Sequence, residues 1–495
     1  AILLGSAGNG FALDGGELAR ISTPQLVVGS SLHAGAIEVL GAIARAGDLT
    51  LQNEGGSGGI QLQAALDVGG GTLALSTGGS ITQSASGAIT AHSLLARADG
   101  DVLLAAAQNN VAATTLAGNA GGDFEYQDID ALAIGNVSAT GFDAGSGTLA
   151  AIGAGGIQAG GDVFVRNLQG DLALGADVSG TNIDLVTANT LQNTAGASLL
   201  ATGDWRVWAS TWVGEDRGGL AGNGALPNLY GCQFQGACAV SVPGASDHFI
   251  YVQQPVAVIT FDDATREYGL PNPLFTFSVS GAILGDTAAN VASGSAATTA
   301  TIGSDVGAYP ITGSFTSAAG YQLQFVPGTL RITPATLVFT ADPFVRYLGT
   351  PNPLFTGTVT GFRNGDTVES VFGATPVWSS PAGILSPIGY YPVNGGTSAK
   401  NYVFVQAAGN ATALQVIPLP QLSSTPTDLV SDPVNTYLYD RNIAGAPVCA
   451  VNATLDDQAL AASGDALSNE WSKVRSRPNL VNCFDAERRN GCSDF

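Results

Sequence analysis

The sequence predicts an all-β chain: a right-handed parallel β-helix, then two small β domains, then a short helical tail. Three observations carry this. A five-residue phrase, Gly-Asp followed by apolar residues two apart, recurs through the first two hundred residues. A different phrase, Pro-Asn-Pro-Leu-Phe, is written at Pro271 and again at Pro351. Only 11% of the 495 residues are charged while glycine reaches 67, against about a quarter charged in an ordinary globular domain.

The recurring phrase stands at Gly47-Asp48-Leu49, Gly100-Asp101-Val102, Gly122-Asp123-Phe124, Gly161-Asp162-Val163, Gly170-Asp171-Leu172 and Gly203-Asp204-Trp205, with looser copies at Gly71-Thr72-Leu73 and Gly147-Thr148-Leu149. Apolar residues two apart share one face of a strand, because strand side chains alternate. One such strand cannot bury its apolar face alone; copies spaced roughly 20 to 30 residues apart can stack on each other, as in a solenoid. Residues 1–215 are therefore assigned to the β-helix. A second phrase, at Gly35-Ala36-Ile37, Gly79-Ser80-Ile81 and Gly156-Ile157-Gln158, implies at least two parallel sheets along it. The opening Ala1-Ile2-Leu3-Leu4 reads as a strand inside a solenoid, so further coils are expected upstream, and the lack of Met agrees with a processed piece. Residues 216–255 are expected to cap the other end. Trp205, Trp208 and Trp212 come just before it, and bulky rings cover an open core well.

From Val256 the strands lengthen and proline marks the turns. Tyr268, Val279-Ser280-Gly281 and Gly285-Asp286-Thr287 return as Tyr347, Val359-Thr360-Gly361 and Gly365-Asp366-Thr367. Residues 256–334 and 335–417 are thus two copies of one small β domain, with short alternating strands and closely spaced turns. A proline-rich linker over 418–448 is stiff and extended. The tail, 449–495, holds a helix over 455–474: Asp456 and Asp457 open it, Lys473 and Arg475 lie at its end, as the helix dipole favours.

A net charge of −22 with only two lysines, Lys400 and Lys473, argues against nucleic acid or an anionic membrane as partner, since both need a basic surface. No apolar run nears the roughly 18 residues of a transmembrane helix. The five cysteines fall as Cys232 with Cys238, Cys483 with Cys492, and Cys449 over. Close pairs without metal-type histidines point to disulfides and an oxidising compartment.

The coils, the closing Gly203-Asp204-Trp205-Arg206-Val207-Trp208 and the paired Tyr-Gly...Pro-Asn-Pro-Leu-Phe...Gly-Asp-Thr units together resemble the C-terminal part of filamentous haemagglutinin-like exoproteins of two-partner secretion. The eighty-residue units resemble the bacterial Ig-like domains called MBG, which implies an Ig-like or β-grasp-like fold. The second unit departs from the pattern, with Tyr347-Leu348-Gly349 where the first has Tyr268-Gly269. The resemblance implies an adhesin exported through an outer-membrane β-barrel partner. It also implies that a ring closed by Cys483 and Cys492 plugs that barrel, because a covalent loop beside a folded helix is too wide to follow the thread. Cys449 can pair with either end cysteine instead, so the connectivity stays open.

Catalysis on a β-helix needs carboxylates or bases gathered on one face. The best candidates, Asp123, Glu125, Asp128 and Asp130, are a weak Ca²⁺ set through oxygen ligands, and a solvated outer face is the simpler reading. His33, His92 and His248 share no ligand spacing. Gly55-Gly56-Ser57-Gly58-Gly59 fits Gly-x-Ser-x-Gly, but no helix follows it. No enzyme activity and no cofactor are expected. The expected function is a cell-surface adhesin or biofilm-matrix fibre, tethered to the outer membrane of a Gram-negative bacterium and meeting a glycan or protein receptor, with self-association a further partner mode. A carbohydrate-active β-helix enzyme and a self-assembling surface filament are the alternatives.

Overall fold

The computed structural model describes residues 1–6 and 11–420. The expected tail helix, the linker past 420, and Cys449, Cys483 and Cys492 lie outside the described residues. The opening two hundred residues form parallel ladders. On the first side, Ile2, Ile37, Ile60, Ile81, Val102, Phe124, Val163, Ile183 and Trp205 stack in register, and all are buried. Ile37, Ile81, Val102, Phe124, Val163 and Trp205 among them come from the two recurring phrases, whose Leu49, Leu172 and Ile157 stand on the other sides. Burying each is worth about 1.5–3 kcal/mol, and only the rungs above and below can bury them. Two strand types were expected; the coil has three sides. Short strands such as Ile43–Ala44 and Leu66–Asp67, and later Leu172–Leu174 and Leu191–Gln192, form the second side. Gln25–Ser30, Asp48–Asn53, Thr72–Thr77 and the part of Ile89–Ala98 from Ser93 onward begin the third.

The aspartate of the phrase has a job of its own. Asp101 Oδ1 accepts from the backbone N–H of Asp123 (3.0 Å), Asp123 Oδ1 from Asp162 (2.8 Å), Asp162 Oδ1 from Asn182 (3.1 Å), and Asp204 Oδ1 from Ser246 (2.6 Å). Each of these corner carboxylates thus binds a corner N–H of the next rung, satisfying a donor that the strand ladder leaves open. Asp123→Ala is expected to lower stability by about 1 kcal/mol, read as a shifted urea midpoint, while Glu125→Ala leaves the midpoint in place. Equal shifts would remove the ladder's role.

Two insertions interrupt the coil. Gly147-Thr148-Leu149, expected as a rung, instead begins the return strand of an antiparallel hairpin, Asn136–Asp143 with Thr148–Gly155. The hairpin lies on the third side: Thr50 donates to the Thr140 carbonyl (2.7 Å), Gln52 accepts from the Phe142 N–H (2.7 Å), and Val137 packs with Ala74, Leu95 and Ala117. Its cover explains why Asp48–Asn53 and Thr72–Thr77 are buried on both faces. The second correction concerns the boundary at 215. The coil does not end there: after an irregular excursion, His248–Tyr251 pairs parallel to Trp205–Ala209 and Asn228–Tyr230 pairs parallel to it in turn.

Two units follow from the contacts: 1–337 with 361–373 and 398–403, and 338–360 with 374–397 and the described residues from 404. In the first, the small β domain has two mixed sheets. Val256–Phe261 runs antiparallel to Phe277–Ser280 and parallel to Gln322–Val326. Ala264–Glu267 runs parallel to Gly328–Thr333, which is antiparallel to Gly307–Thr316. Rings of Phe261, Phe277 and Phe315 pack between the sheets.

In the second unit, Phe344–Tyr347 pairs parallel with Leu414–Ile417, putting Tyr347 opposite Ile417. That register corrects one correspondence. Tyr347 matches Glu267, which lies opposite Thr333, so Leu348 stands where the first copy has Tyr268. The turn itself is kept, with Gly269 at φ 76° and Gly349 at φ 85°, a conformation that glycine adopts without strain. The Pro-Asn-Pro loops are held by an arginine that the sequence pattern did not single out. Arg266 Nε donates to Asn272 (2.7 Å) and Arg346 Nε to Asn352 (2.8 Å).

Candidate functional site

The last coil closes on aromatic rings. Trp205 meets Phe249 edge-on at 5.1 Å, Trp212 meets Tyr230 at 5.4 Å, and Tyr230 stacks on Tyr251 at 5.6 Å. The Arg217 guanidinium lies 3.8 Å from the Phe249 ring centre, a favourable cation–π contact. Arg217 Nε donates to Glu215 (2.8 Å), and the Tyr251 hydroxyl, which accepts from Arg217, donates to Glu215 (2.6 Å). The Glu215 side chain is only 2% exposed, and both of these partners meet its Oε2.

Arg217 also donates to Asn228 Oδ1 (2.9 Å), and Asn228 Nδ2 donates to Asp286 Oδ1 (2.8 Å). Asp286 Oδ2 accepts from Tyr230 (2.8 Å) and Tyr321 (2.7 Å). Asp286 belongs to the small domain and Tyr230 to the solenoid cap, so one carboxylate fastens the two. The same device recurs within this unit. Asp366 Oδ2 accepts from Tyr402 (2.7 Å) and Tyr268 (3.0 Å). The ring pairs match as well: Tyr230 with Tyr321 at 5.0 Å and 75°, Tyr268 with Tyr402 at 5.4 Å and 79°.

The Gly-Asp-Thr triplet is thereby explained: its Asp receives the preceding domain's tyrosine, and its Thr caps a short helix, Thr287 for Ala288–Val291 and Thr367 for Val368–Phe372. Leu348 in the second copy has no hydroxyl to offer.

Burial, and then the neighbouring carboxylates, push the Tyr321 and Tyr402 hydroxyls up to about 12. An unfolded tyrosine ionises near 10. The folded joint therefore favours the protonated phenol, and its stabilisation is whole below about pH 10 and lost as pH rises through about 12. The unfolding midpoint of the native chain is expected to fall across that window. The fall should shrink in Tyr321→Phe/Tyr402→Phe; an unchanged fall would count against the joints as its source.

The four acidic candidates do not converge. Asp123 is spent on the corner ladder, and Asp128 turns inward, fully buried, accepting from Tyr126 (2.7 Å), Val111 N–H (2.9 Å) and Asp130 N–H (3.0 Å). Burial raises the Asp128 carboxyl above its ordinary value despite those donors. Asp130 instead accepts from Asn110 (3.2 Å). Among the described residues no group of three or more His, Cys, Asp or Glu side chains could hold a metal ion. His248 is buried with its ring nitrogens at the Leu226 and Ala245 carbonyls. The run around Ser57 is a coil corner, where a Cβ on Gly55 would come within 2.3 Å of the Leu32 carbonyl.

Cys232 and Cys238 face each other across an antiparallel bridge, both as thiols, the first buried and the second exposed. Burial pushes the Cys232 thiol up to about 12.

No helix among the described residues is long and apolar enough to cross a membrane. Residues 257–331 and 337–412 match the family model described as MBG domain (YGX type); the chain carries two of these bacterial Ig-like repeats. No curated protein and no solved structure matches.

Proposed function

We propose that this chain is the load-bearing part of a surface-displayed adhesive or biofilm-matrix fibre. The supporting observation is the twice-built joint. A catalytic scaffold has no need to lock successive domains through a buried carboxylate between two tyrosines, whereas a stalk that projects a binding surface does. The solenoid suits the same task, since every rung braces its neighbours. Display in many copies lets weak single contacts add up.

Export through an outer-membrane β-barrel partner and retention there by a Cys483 to Cys492 ring belong to this proposal. So does a Cys232 to Cys238 cross-link, for which the antiparallel bridge supplies the facing pair. In protein exposed to oxidised glutathione, a non-reducing peptide map is expected to show that pair joined; free thiols throughout would remove it. The reading assigns no catalysis.

Adhesion itself is tested with cells lacking the gene, which should lose attachment to surfaces and regain it on complementation. Full attachment without the gene would refute the proposal, as would turnover of bacterial or plant polysaccharides by the purified chain. Cys483→Ser should move the protein from cells to medium, and unchanged cell association would remove the anchor.

A further inference from the structure

On the outer face of the first side, Gln127, Arg166, Val186 and Trp208 stand in register on successive strands. The loop from Cys232 to Cys238 reaches over this column and seats Phe234 against it. Phe234 stacks on Phe164 at 5.6 Å, meets Trp208 edge-on at 5.3 Å, and lies 5.9 Å from the Arg166 guanidinium. Beside these rings is an open groove of about 220 Å³, lined in part by Arg166, Asn167, Trp208, Ser210, Gln233 and Phe234.

Two features mark the groove as built for a ligand. The Trp208 indole is fixed in place, its N–H donating to Asp184 Oδ1 at 3.0 Å. The Arg166 guanidinium makes no hydrogen bond or ion pair with any described residue, in a chain of net charge −22. An unspent planar cation beside aromatic rings matches a carboxylate carried on an apolar ring face, because guanidinium and carboxylate pair through two parallel hydrogen bonds.

We propose that this groove binds one residue of an acidic saccharide, a sugar carrying a carboxylate. Arg166 pairs with the carboxylate, Trp208 packs against the C–H face of the ring, and Ser210 and Gln233 take hydroxyls. The groove is smaller than the roughly 300–1,000 Å³ of sites for drug-sized ligands, a size for one sugar ring whose neighbours run out into solvent. This names a receptor class for the adhesive reading and rests on it.

The test uses the full chain with oligogalacturonate and sialyllactose as two acidic probes, and lactose as the neutral control, followed by tryptophan fluorescence and saturation-transfer NMR. At least one acidic probe should bind, and which of them does separates a uronate from a sialate source. Arg166→Ala is expected to weaken that binding about tenfold or more, with partial recovery in Arg166→Lys, which keeps the charge and loses the fork. Binding of neither probe, or equal binding by Arg166→Ala with its fold intact by circular dichroism, overturns the site. Beads coated with the chain separate the two readings. Attachment to cells that is indifferent to Arg166→Ala sinks the groove and spares the adhesin, whereas saccharide binding without attachment supports the groove and sinks the adhesin.

Discussion

Replacing Asp286 by Ala is expected to destabilise the junction of the solenoid cap and the first MBG domain by about 3–5 kcal/mol, the range of a buried charge network broken on one side. The carboxylate accepts from Asn228, Tyr230 and Tyr321, so its loss strands three donors, and Asn228 is 1%, Tyr230 0% and Tyr321 5% exposed. Water cannot replace the lost acceptor without opening the junction. Guanidinium unfolding followed by tryptophan fluorescence reads this directly, because Trp212 contacts Tyr230, and protease cleavage near 253–256 should quicken in parallel. Asp286→Asn keeps one oxygen and should lose about half as much. A loss under about 1 kcal/mol for Asp286→Ala would show that the carboxylate is not what fastens the domains.

Arg217→Ala is expected to cost a similar 3–5 kcal/mol. It removes the cation beside Glu215, whose side chain is almost wholly enclosed, and it also uncovers the Phe249 ring. A double replacement, Glu215→Gln with Arg217→Met, removes both charges and keeps the bulk, so it should recover most of the loss. Denaturant midpoints of the three proteins decide the matter. If the double variant is as unstable as Arg217→Ala, packing rather than charge is responsible.

The coil was legible because its signal is local. Gly100-Asp101-Val102 and its copies each carry a corner, a capping carboxylate and an inward apolar pair within a few residues, and stacking multiplies that one pattern. The eighty-residue repeat was legible for the same reason. What escaped depends on residues far apart in the chain. Asn136–Asp143 and Thr148–Gly155 have the composition of rungs, and only the pairing of Asn136 with Gly155 makes them a hairpin. Tyr347 looked like the partner of Tyr268 until the pairing with Ile417 showed it one place out of register, and a one-residue slip reverses a side chain's face. The acidic set around Asp123 reads in the sequence as a solvated outer face, with a weak Ca²⁺ site as the alternative, because sequence distance stands in for spatial distance; the fold sends Asp123 to a corner and Asp128 into the interior.

The sequence by itself determined that short glycine-cornered strands stack in parallel and that two like domains follow, because periodicity and turn chemistry act over neighbouring residues. Only the tertiary structure decided what the repeated Gly-Asp-Thr is for, and which side chains gather beside Trp208. Asp286 finds Asn228 and Tyr230, and Arg166 finds Phe234, after more than fifty intervening residues have folded. No local rule encodes such meetings, since they depend on the register of every rung between them.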